Sequence, residues 1–172
     1  ETVYGITFFV IAPDGKLIKE LMPRVENKEE VNEYIKETSK KSSMDRTELN
    51  KGKTGCLVKG IKAINPVTGS EVPIFLGDFV LGDYGTGAVM AVPAHDERDY
   101  AFAKKYNLPI KQVIEGDVSK EAYVDDGKHI NSDFINGLNI KEAKEAVTDK
   151  LISIHHGNYK INYKLRDWLF SR

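Results

Sequence analysis

Two aspartates three residues apart, Asp96 and Asp99, stand just beyond a glycine-rich run, and their spacing is the first sign of chemistry in this chain. At i and i+3 of a helix they share one face. Asp96 has the residue type of an N-cap, and Asp99 falls in the first turn, where the macrodipole favours an anion. A carboxylate held ionised at a helix start, beside a cleft opened by glycines, makes a receptor for a substrate ammonium. The same two acids also read more simply, as caps of the helix. His95 offers either a base or a structural imidazole, the second being the simpler role, and Arg98 reads as a brace for Asp96 and the helix start. Upstream, Gly82, Gly85 and Gly87 permit backbone conformations and close approaches that a Cβ forbids.

The elements that must position these residues follow from the flanking pattern. Residues 88–92 are a short apolar run closed by Pro93, which predicts a buried strand. The helix carrying the aspartates runs to about Tyr106, with Asn107 and Pro109 as stop signals. Earlier, residues 4–12 are rich in β-branched and aromatic types and end at the turn Pro13-Asp14-Gly15, which predicts a core strand. Asn27 and Glu30 have capping-box spacing, and Val31, Tyr34, Ile35 and Thr38 recur at helical intervals, so residues 28–39 read as an amphipathic helix. Residues 40–50 are polar and read as a surface loop with solvated charges. Residues 55–64 form a strand, a turn follows at 65–69, and residues 71–76 pair back, with Pro73 arguing for an edge or an irregular start. Phe79-Val80-Leu81 leads into the glycine segment.

Beyond the central helix, residues 110–114 read as a short strand, and Asp125-Asp126-Gly127 as a tight turn between 122–124 and 128–130. Asn139 and Glu142 repeat the capping pattern ahead of a helix with an Ile140, Ala143, Val147, Leu151 stripe, ending near Ser153. His155 and His156 sit by its C-terminus, where an imidazole interacts well with the dipole. Alternation from Tyr159 to Leu165 predicts a half-buried strand over 158–165. Many short strands with a few helices among them predict a mixed α/β domain on a largely closed sheet.

Composition narrows the function classes. At 172 residues, with 41% hydrophobic and 30% charged residues, the chain reads as one domain over 1–172 with a proper core. A net charge of -1 excludes a global pull toward nucleic acid, so any RNA contact is local or runs mainly through parts of a larger protein outside this chain. The lone Cys56 excludes an internal disulfide framework and a Cys-rich zinc site, and the four histidines, at 95, 129, 155 and 156, show no metal-ligand spacing. His95-Asp96 invites a metal-dependent phosphohydrolase, but that class needs further His and Asp ligands in a mostly helical chain. There is no Ser-His-Asp arrangement. No apolar run reaches the ~18–20 residues of a membrane span, and no signal-peptide pattern opens the chain. Starting without Met, it reads as an excised domain of a cytoplasmic-type protein.

The wording of residues 83–99, Asp-Tyr-Gly-Thr-Gly-Ala-Val-Met-Ala-Val-Pro-Ala-His-Asp-Glu-Arg-Asp, resembles the signature of the editing domain inserted in leucyl-tRNA synthetases. Glu1-Thr2-Val3-Tyr4-Gly5 resembles the end of that domain's threonine-rich segment, and Lys53-Thr54-Gly55 and Ala63-Ile64-Asn65-Pro66 fit its middle. Residues 161–172, from Ile161-Asn162-Tyr163 to Phe170-Ser171-Arg172, resemble the return into the catalytic body, so 159–172 reads as a return segment. The match brackets the chain in order, while residues 23–41 and 116–131 carry little of it. Isoleucyl- and valyl-tRNA synthetases have related insertions, but the wording over 84–99 and the ending over 165–172 favour the leucyl type. The family's upstream threonines and arginine are not in the sequence, so the expectation for this piece alone is a folded domain that is weakly active or inactive.

The resemblance implies a closed or nearly closed β-barrel surrounded by a few helices. It implies post-transfer editing: hydrolysis of the ester of mischarged tRNA(Leu), norvalyl- or isoleucyl-type, with leucyl-tRNA(Leu) excluded. Such a second site is needed because one methylene is worth only ~1–3 kcal/mol of selectivity. In that frame Asp99 binds the α-ammonium through a charge-assisted contact and orients the substrate without abstracting a proton. Thr2 limits the side-chain pocket, and Met90 and Val92 help form it. Tyr84, Gly85, Thr86 and Gly87 bring backbone to the terminal adenosine, and His95, Asp96 and Arg98 complete the substrate-binding surroundings. A positioned water, aided by the ribose hydroxyl, suffices as nucleophile. The resemblance implies no metal or cofactor in this domain, with ATP and Mg used by the parent enzyme. It also implies the 3′ end of tRNA(Leu) with its amino acid, and the rest of the synthetase, as partners of a monomeric domain without a membrane. A non-catalytic RNA-docking insertion is the alternative.

Overall fold

The computed structural model describes residues 1–42, 45–46 and 52–160. Its strands are β1 (Phe8–Ile11), β2 (Gly55–Ile64), β3 (Glu71–Gly77) and β4 (Ala88–Ala91), and its α-helices are α1 (Lys16–Leu21), α2 (Lys28–Thr38), α3 (Glu97–Tyr106) and α4 (Ile140–Ser153). Short 3₁₀ turns occupy Thr2–Gly5, Met22–Arg24 and Asp133–Ile135. The first strand therefore starts at Phe8, four residues later than the β-rich composition of 4–12 predicts.

The strands form one four-stranded sheet in the order β2-β3-β1-β4, parallel between β1 and β3 and antiparallel elsewhere. This mixed α/β sheet is open: β2 and β4 are its outer strands, and the closed or nearly closed barrel expected above is not what the chain forms. The reason lies in the segments expected to supply further strands. Residues 110–114 and 128–130 meet only at the single bridge Ile114–His129, and residues 122–124 form a loop. Ile130 N–H to Val113 O and Glu115 N–H to Lys128 O make that bridge, and other backbone groups are satisfied elsewhere: Val113 and Ile114 donate to the His95 ring, and Tyr123 donates to Ala94 O. A backbone group already paired has no reason to extend a ladder. The strand predicted over 158–165 lies mostly outside the described residues, and 158–160 are not strand.

Pro73 does not mark an edge. β3 runs between β2 and β1, and Pro73 lies where pairing with β2 skips from Val58 to Lys62, so the missing N–H falls at a bulge.

The sheet's two faces are buried separately. On one, Phe8 and Val10 of β1 and Phe75 of β3 meet Phe102 and Ala103 of α3, with the Phe8 and Phe102 rings stacked at 5.2 Å. On the other, Ile11, Ile74 and Leu76 meet Ile18 of α1 and Val31 of α2. A third cluster sets Val3 and Tyr4 of the first turn against Val113, Ile135 and the α4 residues Ala143 and Val147.

Asn139 and Glu142 form a complete capping box on α4. Asn27 does not cap α2. Its side chain donates to Leu57 O at 2.8 Å and accepts the Lys59 N–H at 2.9 Å, pinning the helix start to β2. The surface loop expected over 40–50 lies partly outside the described residues; of those described, Lys41 reaches Asp78 at 2.8 Å and Arg46 is buried.

Candidate functional site

α3 is set up as its sequence predicts. Asp96 caps it, accepting the backbone N–H groups of Arg98 at 2.9 Å and Asp99 at 3.0 Å. Asn107 ends it in the left-handed conformation, φ 53°. The Asp96–Arg98 brace thus runs through Arg98's backbone. Phe102 and Tyr106 anchor the helix to the sheet, which leaves its first turn facing the end of β4.

There Asp99 is only 7% exposed, and its carboxylate accepts the Val92 N–H at 2.8 Å. Burial, helped by the negative charge of Asp96, pushes its pKa from the usual 3.8 up to about 7. The Val92 N–H and the Arg98 charge oppose this without cancelling it. Asp99 lies on a cleft of about 420 Å³ that Thr2, Met90, Val92, His95, Asp96 and Arg98 also line. Three elements meet at it: the N-terminal 3₁₀ turn, the end of β4 and the start of α3. β4 is not the buried strand its apolar run predicts. As an edge strand it leaves Val89 43% and Met90 55% exposed.

Tyr84, Gly85, Thr86 and Gly87 are not part of this lining. Tyr84 is 82% exposed at the tip of a loop whose base is tied to the β1–α1 turn, with Ala12 donating to Gly87 O at 2.8 Å and Gly82 donating to Asp14 Oδ1 at 3.1 Å. Gly87 has φ 65°, a value that favours glycine, and a Cβ on Gly82 would lie 2.8 Å from Gly15 Cα. In this structure those glycines serve the turn and the contact between two loops.

His95 is a brace. Its Nε2 accepts the N–H groups of Val113 at 3.0 Å and Ile114 at 3.1 Å, and Nδ1 lies 2.9 Å from Tyr123 O. Two donors at Nε2 and a carbonyl at Nδ1 fix the neutral tautomer with the proton on Nδ1. The lone pair a general base would need is occupied. Burial pulls its pKa below the usual 6.5, with neighbouring His129 acting the same way and the Tyr123 carbonyl opposing. A lowered histidine pKa contributes stability that is present above the ordinary value and lost as pH falls through the folded one. His95→Ala should therefore destabilise at pH 7.5 by about 1–3 kcal/mol per stranded N–H, and the gap to wild type should shrink towards pH 5. Urea melts of both proteins at the two pH values check this; a gap that does not narrow removes the neutral-imidazole account.

Sequence reasoning did not find the rest of the lining. Phe79 and Val80 reach the cleft from the loop after β3, and Ile114, Tyr123, Val124 and Asp125 from the segment held by His95. Nothing local announces the second group, because Tyr123 is placed by its N–H to Ala94 O, 29 residues back.

Other chemistries find little support. Among the described residues, no group of three His, Cys, Asp or Glu side chains converges to hold a metal ion. Burial pushes the Cys56 thiol up to about 11, which leaves little thiolate for nucleophilic attack. Among the same residues, no helix is long and apolar enough to cross a membrane.

Residues 1–152 match the family described as leucyl-tRNA synthetase, editing domain. Leucine–tRNA ligase of Alkaliphilus oremlandii (strain OhILAs) is 50% identical over 175 residues, which take in 100% of this chain and 22% of that protein. The chain thus spans about a fifth of the length of the curated relative it matches. The crystal structure of the Agrobacterium radiobacter K84 LeuRS-tRNA-LeuAMS ternary complex superimposes with a TM-score of 0.63 at 29% identity, over 89% of this chain and 16% of that one. A family match over most of the chain, a relative at half identity and a shared fold agree with the wording of residues 83–99: this chain belongs to the family of leucyl-tRNA synthetase editing domains.

Proposed function

We propose that this domain, as part of a leucine–tRNA ligase, hydrolyses the ester bond of mischarged tRNA(Leu), norvalyl- or isoleucyl-type, and spares leucyl-tRNA(Leu). The observation that carries this reading is the buried Asp99 carboxylate on the same cleft as Thr2. A carboxylate that burial makes reluctant to ionise gains most from an arriving ammonium, since pairing restores the charged form. Aminoacyl esters carry that ammonium, whereas peptidyl or acetylated esters do not. Water adds to the ester carbonyl, and the ribose oxygen leaves carrying the proton. With the His95 lone pair engaged, positioning of the water beside the ribose hydroxyl is the effective contribution. The partners are the 3′ end of tRNA(Leu) and the rest of the ligase; the likeness to a synthetase solved with tRNA supports this.

The deciding experiment is deacylation of isoleucyl- and leucyl-tRNA(Leu) by the ligase carrying this domain and by the domain alone. Fast loss of the isoleucyl ester with a stable leucyl ester is expected from the ligase. Equal treatment of both by a folded ligase rejects the reading.

The hydrolysis needs no metal from the protein. Treating the domain with a Zn²⁺ and Mn²⁺ chelator should leave its melting temperature and any deacylation it performs unchanged. A stoichiometric metal whose removal stops hydrolysis reverses this.

A further inference from the structure

Arg46 lies in a stretch whose composition says solvent, yet its side chain is 6% exposed. Among the described residues its guanidinium reaches three partners. Nε donates to Asp78 O at 2.7 Å, Nη2 to Val80 O at 2.6 Å, and Nη1 to the Asp14 carboxylate at 2.7 Å, with Nη2 also 3.2 Å from the other Asp14 oxygen. The two carbonyls flank Phe79, so the fork grips the backbone on both sides of one residue. Asp14 in turn accepts the Gly82 N–H at 3.1 Å, which extends the grip to the next turn. The Arg46 guanidinium beside Asp14 holds that carboxyl below its usual range, as a formed ion pair requires.

The gripped segment is a wall of the cleft. Phe79 and Val80 line it together with Thr2 and Asp99, and the Phe79 ring packs edge-on to Phe102 of α3 at 5.7 Å. The preceding residue is tied independently: Asp78 accepts Lys41 Nζ at 2.8 Å, the Thr54 N–H at 2.9 Å and the Thr54 hydroxyl at 2.8 Å. Without Arg46 the segment would still be attached at Asp78 and through Val80 N–H to Gly77 O, but the side-chain fork that spans Phe79 would be lost.

A size filter works only if its walls do not yield, because the discrimination at stake is one methyl group. We propose that Arg46 is a positioning residue for amino-acid discrimination, holding the Phe79–Val80 wall at the distance that makes leucine too wide; this rests on the editing reading above. Lysine cannot substitute. A single ammonium on a flexible stem cannot span two carbonyls and a carboxylate as the planar fork does.

The test uses the whole ligase, with wild type, Arg46→Lys and Asp14→Ala compared. Asp14 is half exposed, and its removal takes away one arm of the grip while both carbonyl contacts of the guanidinium stay; the melting temperature reads the cost of the buried cation left without its carboxylate. The readout is kcat/KM for isoleucyl-tRNA(Leu) divided by kcat/KM for leucyl-tRNA(Leu), beside the melting temperature. In Arg46→Lys we expect that ratio to fall by about 10-fold or more, the lower bound for one methylene, with leucyl-tRNA hydrolysis rising. Asp14→Ala should move the ratio in the same direction by a smaller factor, and it decides the matter alone if Arg46→Lys fails to fold. A merely structural Arg46 would lower both rates in proportion and leave the ratio where it was, which overturns the proposal. If wild-type ligase itself hydrolyses neither ester selectively, the editing reading fails and not the role of Arg46.

Discussion

Asp99→Asn should lower hydrolysis of isoleucyl-tRNA(Leu) by roughly 100-fold, the equivalent of about 3 kcal/mol for a hydrogen bond to a charged group, while making the fold more stable at pH 8. The two effects have one cause. The asparagine carbonyl can still accept the Val92 N–H, so the local architecture survives. What disappears is a negative charge that the folded protein holds at a disadvantage, with a pKa of about 7 in place of 3.8. A raised carboxyl pKa gives stability that is fully present below the unfolded value and is lost as pH rises through the folded one. Wild type should therefore weaken between about pH 4 and pH 8 relative to Asp99→Asn, by on the order of 2–4 kcal/mol. Urea melts at pH 5 and pH 8 read this difference directly, and Asp99→Ala tests the activity limb without the amide. Wild-type deacylation by a folded variant would remove Asp99 from the mechanism. Equal stability of the two proteins at pH 8 would show that the buried charge is not strained. Strain of this kind is the usual stability–function exchange at a binding site.

Thr2→Ala should let the ligase hydrolyse correctly charged leucyl-tRNA(Leu) about 10–200-fold faster, the range for one methylene-sized discrimination. A β-branched side chain is stiff at χ1, so Thr2 is a fixed wall provided its backbone is fixed. It is: Val3 and Tyr4 beside it sit in the third core cluster, and the buried Asn65 side chain donates to Val3 O at 2.8 Å. Leucine branches at its γ carbon, isoleucine at β and norvaline not at all, so a wall at the γ branch rejects leucine alone. Removing a methyl and a hydroxyl opens about the space of the methyl that leucine carries. On the proposed reading isoleucyl-tRNA hydrolysis should change much less, because Asp99 would still hold the ammonium. Both deacylation rates are to be measured in both enzymes. A stable leucyl ester alongside normal isoleucyl hydrolysis in Thr2→Ala would show that the sieve lies elsewhere on the lining.

How much of this was legible beforehand depended on the range of the interaction. The cap at Asp96, the stop at Asn107, the capping box of Asn139 with Glu142 and the β2–turn–β3 hairpin with Asn65 and Gly69 are written in residues two to five apart, and the sequence alone determined them. So was the family, through the wording around Asp99. Tertiary structure decided the rest. Whether the sheet closes depends on where the backbone groups of 110–130 find partners, and those include the His95 ring and Ala94 O, distant in sequence. Asn27 has the spacing of a cap, but two backbone groups of β2, about thirty residues away, compete successfully for its side chain. Arg46 reads as a solvated cation until Asp14, Asp78 and Val80, each more than thirty residues off, close around it. The carboxyl of Asp99 is an ordinary first-turn acid by sequence. Only the packing of β4 and α3 around it removes the water that would keep its pKa low, because desolvation is a property of all the neighbours together and of no segment by itself.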